Sequence, residues 1–447
     1  MVGAGIGGLA AAWALRDRDV LVLEAEDRVG GRVRSEPRGD YWLNLGAHVF
    51  SGPGSATWRL AEEVGVELAP VPGELVAVEL NNRIVAGGRP ELYPFRLALS
   101  FGERIALALA GLRLKRAVRG YERAAQVRPG ETPAETRARI LAYGDDRTFA
   151  DWLGAVPGDA AALFRATVTR STAELEEISF GHGAGYFSLV WSAGKGLSHN
   201  ILGGPSRLID GMVAGLPGGV ETRAEVQDVS LEDGGVRVRF RQGESEHEAR
   251  ARHAILATKA FDAARIARDL PDDTRTSLES IPYGPTVVMG MITGETGRMP
   301  WDSIYALATP KRAFSMLFNV VNVLRTPGIT ERAPGGSFMV YRSGHAALEL
   351  FERTDAEIEH AFLEDLHAIY PETRGIVRET MLLRMRRMLP YVAPGRAALQ
   401  PALERPLGRL HLVGDYLGGI YTETAISGGQ AAAASIRTAL ATEPAAP

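Results

Sequence analysis

Residues 1–8 of the chain read MVGAGIGG, and the glycines at positions 3, 5 and 8 satisfy the pattern G-x-G-x-x-G. LAAAWAL follows and predicts a helix, and DVLVLEAE predicts a strand over Val20 to Leu23 that ends at Glu24. In such a unit the first glycine makes a tight turn, the second admits a pyrophosphate and the third packs helix against strand. Glu24 follows at about the 20-residue spacing of a carboxylate that accepts from a ribose hydroxyl. The stretch predicts a dinucleotide-binding α/β unit.

The strand that should precede these glycines is cut short in the sequence. Only Met1 and Val2 stand where a strand of about five residues is usual. We expect a few native residues to precede this numbering. The first fifteen residues lack the basic leader and cleavage site of a signal peptide, and no apolar run approaches the roughly 20 residues of a membrane span. A cytoplasmic protein is therefore expected.

Composition narrows the class of protein further. The chain has 447 residues, of which 45% are hydrophobic and 23% charged, and this length favours two domains. A net charge of −4 gives no electrostatic reason to expect nucleic acid or an anionic membrane as a partner. The absence of cysteine excludes disulfides, thiolate metal ligands, cysteine nucleophiles and a cysteinyl link to a cofactor. No metal site is predicted.

The residues after Glu24 read AEDRVGGRVRS, and with them Gly3 to Arg32 resembles the opening of the flavin-containing amine oxidase superfamily. That superfamily also holds porphyrinogen oxidases and carotenoid-type desaturases. The resemblance implies an α/β fold with a Rossmann-like FAD-binding domain and FAD as the cofactor. It implies cofactor contacts at the opening loop and at the GGR element, whose arginine would pair with a phosphate: Gly3, Ala4, Gly5, Gly7, Gly8, Glu24, Ala25, Gly30, Gly31 and Arg32.

Three further segments are similar to that family. LNLGAHVF resembles the stretch that passes the flavin ring, which places Gly46, Ala47 and His48 nearest to it. LHLVGDYLGGIYTETAISGGQ resembles the closing flavin motif and reads as strand, glycine turn and helix. There the resemblance assigns the pyrophosphate or ribityl chain to Gly414 and Asp415, and the ring carbonyls to the N–H groups of Thr424, Ala425 and Ile426. VRVRF and HAILAT predict strands of a middle segment, in which Val226 would cover the adenine.

These matches at both ends and in the centre predict a discontinuous FAD-binding domain. Its parts are expected at 1–70, 201–280 and 390–447, with an inserted α+β substrate-binding domain at 71–200 and 281–389. Within the inserted domain, the run from Arg96 to Gln126 predicts one or two amphipathic helices with a solvated basic face, rather than a membrane-binding surface.

The substrate side is less well specified by the sequence. In classical amine oxidases two aromatic rings flank the substrate nitrogen; the resemblance places Tyr421 at one position and Met388 at the other, so the pair is incomplete. A lysine is expected near Val288, and none occurs there. Catalytic candidates are Tyr421, Lys195 and His48, which could take up a proton near neutral pH. Candidate pocket residues in GHGAGYFSLVWSAGKGLSHN are Tyr186, Trp191 and His199, while Lys259 is expected to cap a strand at the surface.

The resulting prediction is an FAD-dependent oxidase that moves a hydride from a C–N bond of a small bacterial metabolite to the flavin, with O₂ as electron acceptor and H₂O₂ as product. C–C oxidation of a porphyrinogen or polyene is the alternative, favoured by the absent lysine and by the segment Leu389-Pro390-Tyr391. A non-catalytic escort protein of the same fold is a further alternative. The substrate, a histidyl flavin link and the oligomeric state, including a homodimer, stay open.

Overall fold

The computed structural model describes residues 1–191, 197–325, 334–419 and 421–442. Sixteen α-helices lie in these ranges: α1 Ile6–Ala14, α2 Ala56–Glu63, α3 Tyr93–Arg96, α4 Phe101–Ala125, α5 Pro133–Ala142, α6 Phe149–Leu153, α7 Gly158–Val168, α8 Phe180–Tyr186, α9 Ser188–Trp191, α10 Ser206–Ala214, α11 Ala260–Ile266, α12 Asp272–Glu279, α13 His345–Leu348, α14 Asp355–Ile369, α15 Gln400–Glu404 and α16 Thr422–Thr442. The same ranges contain seventeen strands: β1 Ser35–Arg38, β2 Tyr41–Asn44, β3 Phe50–Ser51, β4 Leu68–Pro70, β5 Ala77–Leu80, β6 Arg83–Ala86, β7 Leu197–Ile201, β8 Ala224–Glu232, β9 Gly235–Gln242, β10 Ser245–Ala251, β11 Ala254–Leu256, β12 Tyr283–Thr293, β13 Ala306–Ala308, β14 Met316–Asn319, β15 Gly336–Ser343, β16 Val377–Pro390 and β17 Leu410–Leu412.

A small parallel sheet surrounds the glycine loop. β11 pairs in parallel with β17, and Val2 forms parallel bridges with Leu256 on one side and Leu23 on the other. The predicted strand over Val20 to Leu23 is extended and hydrogen-bonded on both sides, but only Leu23 forms a bridge there. The two residues in front of the glycines therefore occupy the centre of this sheet, and α1 follows them as predicted.

The middle and end of the chain complete this layer. β8, β9 and β10 form an antiparallel sheet whose β8–β9 turn joins Glu232 to Gly235, and β9 contains the strand predicted at VRVRF. β17, the glycine turn and α16 confirm the predicted closing strand–turn–helix. α16 packs directly against α1, where the backbones meet so closely that a Cβ on Gly429 would lie 2.2 Å from the Gly7 carbonyl oxygen.

A seven-stranded mixed sheet forms the second layer, in the order β16-β12-β15-β14-β13-β5-β6. Its strands alternate in side-chain direction. In β12, Val287 and Met289 pack towards α14, where Phe362 is fully buried, whereas Val288 faces the opposite side. The face that carries Val288 lines the large cavity between the two layers.

The longest helix of the described residues, α4, differs from its prediction on its exposed side. Exposed residues recur at helical spacing along one face of the helix. In the first three turns they are apolar, and after that they are basic: Phe101, Ile105, Leu109 and Leu112, then Arg116, Arg119 and Arg123. The expected basic face is therefore confined to the C-terminal half of the helix. No helix among the described residues is long and apolar enough to span a membrane.

Two leucines of α4 provide a direct test of this orientation. Leu109 is 59% exposed and Leu114 is 2% exposed. We expect Leu114→Ala to lower the free energy of unfolding by about 2–5 kcal/mol, because it leaves a cavity in the core. Leu109→Ala makes the same chemical change at the surface and should shift it by less than about 0.5 kcal/mol. Urea denaturation of both variants measures the difference, and equal losses would show that the exposed face of α4 is buried in solution.

Candidate active site

A cavity of ≈ 970 Å³ extends from the glycine loop to the seven-stranded sheet. At the loop end it is bordered by the opening motif, by Glu24 and Ala25, and by β8, which includes the buried Val226. At the other end, here called the ring end, alternate residues of four adjacent strands form the wall: Thr286, Val288, Phe318, Met339, Tyr341, Ser343, Leu383 and Met385.

Backbone hydrogen bonds fix the shape of the glycine loop. The Glu24 carboxylate accepts from the Ala4 N–H at 2.7 Å and from the Glu26 N–H at 2.9 Å, and the Gly30 N–H donates to the Ala4 carbonyl at 2.8 Å. Gly30 thereby joins the loop by a parallel bridge to Gly5. The GGR element and the opening motif are thus held side by side.

The N-terminus of α1 is open towards the cavity. Gly5 is its N-cap, no side chain caps the helix, and no acidic residue lies in its first turn. Gly5 and Gly7 both line the cavity, and a Cβ on Gly5 would meet no heavy atom within 4 Å. Uncapped N–H groups at the positive end of a helix dipole favour an anion at this position. The loop end therefore fits a dinucleotide whose charged middle lies against α1.

Arg32 and Asp415 connect the two ends of the chain beneath this position. The guanidinium donates to both carboxylate oxygens, at 2.6 and 2.9 Å, and also to the Met388 carbonyl at 3.1 Å. The Asp415 side chain is 6% exposed. Both residues line the cavity together with Gly414, so the planar fork that binds Asp415 borders the same space as the open end of α1.

Two tyrosines meet at the ring end. The rings of Tyr421, which precedes α16, and Tyr186, in α8, have centroids 6.4 Å apart at 50°, and both side chains line the cavity. Tyr186 is buried, and burial raises the pKa of its phenol well above the ordinary value, whereas Tyr421 is 40% exposed. Tyr421 has φ +114°, a conformation that costs a non-glycine residue free energy and that occurs most often at functional sites.

His48 lies on the opposite side of this end, next to Gly46 and Ala47, which also line the cavity. Its Nδ1 is 3.2 Å from the Gly46 carbonyl, and its ring packs 4.3 Å from that of Phe318. Burial lowers the pKa of His48 to about 4, and the charge of Arg170 lowers it as well. This lowered pKa does not favour uptake of a proton by His48 near neutral pH, in contrast to the expectation from the sequence.

Several other predicted residues are placed differently from their predictions. Trp191 packs in the helical cluster around α4, and His199 lies in β7 with its ring edge-on to Trp58 at 5.3 Å, so neither lines the cavity. Thr424 and the fully buried Ile426 do not line it, although Ala425 does. The Thr424 N–H already donates to the Tyr421 carbonyl at 3.2 Å. Lys195 lies outside the described residues.

Two residues of the opening motif, Ala4 and Gly8, also do not line the cavity, and they contact other residues of the loop instead.

The sequence predicts Lys259 at the surface, but the structure places it in the cavity wall. It precedes α11 and lines the cavity instead of capping a strand at the surface, and burial lowers its pKa.

Several cavity residues have no counterpart in the sequence predictions, among them an arginine and a tyrosine at the ring end. Arg170 and Tyr341 line the ring end from a turn after α7 and from β15. Neither belongs to a motif. Only the alternation of β15 could have indicated Tyr341, once its sheet face was known.

Comparisons with known proteins agree with this geometry. The family model described as flavin containing amine oxidoreductase matches residues 6–437. "Amine oxidase (flavin-containing) A" of Canis lupus familiaris is 40% identical over 101 residues, 22% of this chain and 18% of that protein. "Putative flavin-containing monoamine oxidase AofH" of Mycobacterium tuberculosis is 28% identical over 260 residues, 55% of this chain and 54% of that protein. The chain thus spans about half or less of the length of these relatives.

Solved structures match nearly the whole chain. Cyclohexylamine oxidase from Brevibacterium oxydans superimposes with a TM-score of 0.76 over 98% of both chains, at 21% sequence identity. At that identity the likeness shows the fold, a mixed α/β architecture of the kind predicted from the glycine motif.

Proposed function

The chain belongs to the family of flavin-containing amine oxidoreductases, and from this premise we propose that it is an FAD-dependent oxidase acting on a C–N bond of a small amine. When bound, the flavin would accept a hydride from the carbon next to nitrogen, giving an imine-type product, and would return two electrons to O₂ as H₂O₂. The pairing of Tyr421 with Tyr186 at the ring end is the observation that carries this proposal. Two rings that face one cavity can orient a small amine between them.

The electrostatics of the ring end suit an amine that reacts in its uncharged form. Val288 lies where a lysine is expected and is buried and apolar. The lowered pKa of His48 favours its uncharged form. The positive charge of Arg170 disfavours an ammonium ion beside it. These residues would therefore favour loss of a proton by the bound amine and exclude water from the reacting carbon.

We further propose the two-domain division at the predicted boundaries. The loop end of the cavity is built from segments within 1–70, 201–280 and 390–447, including α1, β8, β11 and α16. The seven-stranded sheet is built from strands within 71–200 and 281–389, apart from the last residue of β16. The cavity between them would hold the cofactor on one side and the substrate on the other.

Anaerobic reduction of the flavin tests the proposed reaction. We expect primary, secondary or tertiary amines to bleach the visible absorption of the purified holoprotein, and stoichiometric H₂O₂ to appear when air is admitted. Tyr421→Ala should slow bleaching by roughly 10- to 100-fold, because a poorly oriented substrate reacts slowly. Tyr421→Phe retains the ring and should stay within a few-fold of the original rate. The bound flavin spectrum serves as the folding control for both variants.

A second panel of porphyrinogens and polyenes tests C–C oxidation. That alternative is favoured by the apolar Val288, which lies where a lysine is expected. Bleaching by the second panel alone would contradict the proposed C–N oxidation. A flavin-loaded protein reduced by neither panel would also count against it.

A further inference from the structure

Arg170 projects into the ring end from a rigid turn. It lies in the 3₁₀ turn Thr169–Ser171, which follows α7, and the next residue, Thr172, has a left-handed conformation with φ +70°. The Thr172 hydroxyl donates to the Leu389 carbonyl at 3.2 Å, which ties the turn to the end of β16. Both Arg170 and Thr172 line the cavity. The turn thus fixes the base of a long cationic side chain at the substrate end.

The acidic residues near this turn are already engaged by other groups. Glu174 and Glu176 pair with Arg165, and Glu177 pairs with His345. The side chain of Arg170 is half-buried at the cavity wall, and its charge has no carboxylate partner among the described residues.

The cavity itself supplies no such partner at this end. Its acidic lining residues belong to the loop end or to the pair with Arg32: Glu24, Glu26, Asp27, Glu225, Asp262 and Asp415. The ring end carries instead hydroxyl groups, aromatic rings and methionines, with Tyr341 among the residues that line it. His48, Tyr186 and Tyr421 line the same cavity as Arg170, so its charge lies among the groups that would surround a substrate.

We propose that Arg170 binds a carboxylate of the substrate, so that the substrates are amines that also carry an acidic group, such as amino acids. The part of this inference that concerns oxidation of the amine rests on the proposed function, whereas the part that concerns binding of the carboxylate does not. A guanidinium can donate two parallel hydrogen bonds to a carboxylate, and Tyr341 would help to orient it. The apolar and aromatic wall would contact the remainder of the substrate.

Unreactive acids test the binding site independently of turnover. We expect benzoate to raise the melting temperature of the holoprotein and perturb its flavin spectrum, whereas benzamide, its neutral analogue, does neither. Arg170→Met should weaken benzoate binding about 10- to 100-fold, since an ionic hydrogen-bonding partner is lost. Arg170→Lys keeps the charge and should lose less. Arg147→Gln, an exposed arginine outside the cavity, should leave binding unchanged.

Turnover then tests the substrate class with a matched pair, phenylalanine and phenethylamine. We expect kcat/KM to favour phenylalanine, and Arg170→Met to remove this preference mainly through KM. Equal binding of benzoate and benzamide, or of benzoate to the original protein and Arg170→Met, would overturn the carboxylate site. If benzoate binds through Arg170 but no amine is oxidised, the proposed C–N oxidation fails and the acid site stands.

Discussion

Replacing Asp415 with alanine is expected to lower the free energy of unfolding by about 3 kcal/mol and to release the flavin. The reason is the charge left behind. Arg32 donates two hydrogen bonds to this carboxylate, and the side chains of Arg32 and Asp415 are only 29% and 6% exposed. Removing one member of a buried ion pair leaves the other charge uncompensated, which costs more than the pair contributes. Urea denaturation of the flavin-free protein measures the stability, and the visible spectrum after gel filtration measures flavin retention.

A second arginine–carboxylate pair provides a matched control for this prediction. Arg38 and Glu379 also form a bidentate pair, with Nη2 2.7 Å from Oε1, but their side chains are 34% and 38% exposed. Glu379→Ala should therefore cost less than about 1 kcal/mol, because water compensates the remaining charge, and flavin retention should not change. Equal losses in the two variants would contradict the role that we assign to burial of the Arg32–Asp415 pair.

The loop end of the cavity could be predicted from sequence because its geometry is local. Gly3, Glu24 and Gly30 are close along the chain, and their spacing alone specifies a loop, a strand and a return of the backbone. Backbone hydrogen bonds among these residues are therefore expected wherever the pattern occurs. The structure contains them, with Ala4 as the residue that connects Glu24 to Gly30.

The ring end could not be predicted in the same way because it is assembled from distant segments. Arg170 lies on a turn with no motif, and its position in the cavity depends on the packing of that turn against β16. His199 and Tyr186 are close in sequence, yet β7 carries His199 towards Trp58 while Tyr186 stays in the cavity. The second aromatic ring beside Tyr421 likewise comes from α8 and not from the position of Met388. Tertiary packing decides each of these positions.

The substitution of glycine by alanine should have different effects at two positions of the opening motif: a loss of stability at Gly8 and weaker flavin binding at Gly5. Gly8→Ala is expected to destabilise the flavin-free protein severely, because its Cβ would lie 2.1 Å from the Gly3 carbonyl oxygen. The clash involves a backbone oxygen and a Cβ fixed to the backbone, so no rotation of a side chain can relieve it. The loop and α1 would have to move apart. We expect a loss of several kcal/mol, about 3 or more, in urea denaturation, with poor recovery of folded protein.

Gly5→Ala should leave the flavin-free protein intact and weaken flavin binding instead. Gly5 has φ −70° and ψ 172°, which alanine adopts readily, and its Cβ would enter open space. That space borders the uncapped end of α1, where a phosphate would contact the backbone. We expect the stability of the flavin-free protein to change by less than about 0.5 kcal/mol and the Kd of FAD to rise about 10-fold or more. Because the two variants differ only in what the new methyl group meets, a Gly5→Ala protein that binds FAD normally would show that the cofactor does not approach the backbone there. A Gly8→Ala protein of normal stability would show that the loop does not pack on α1 as the structure describes.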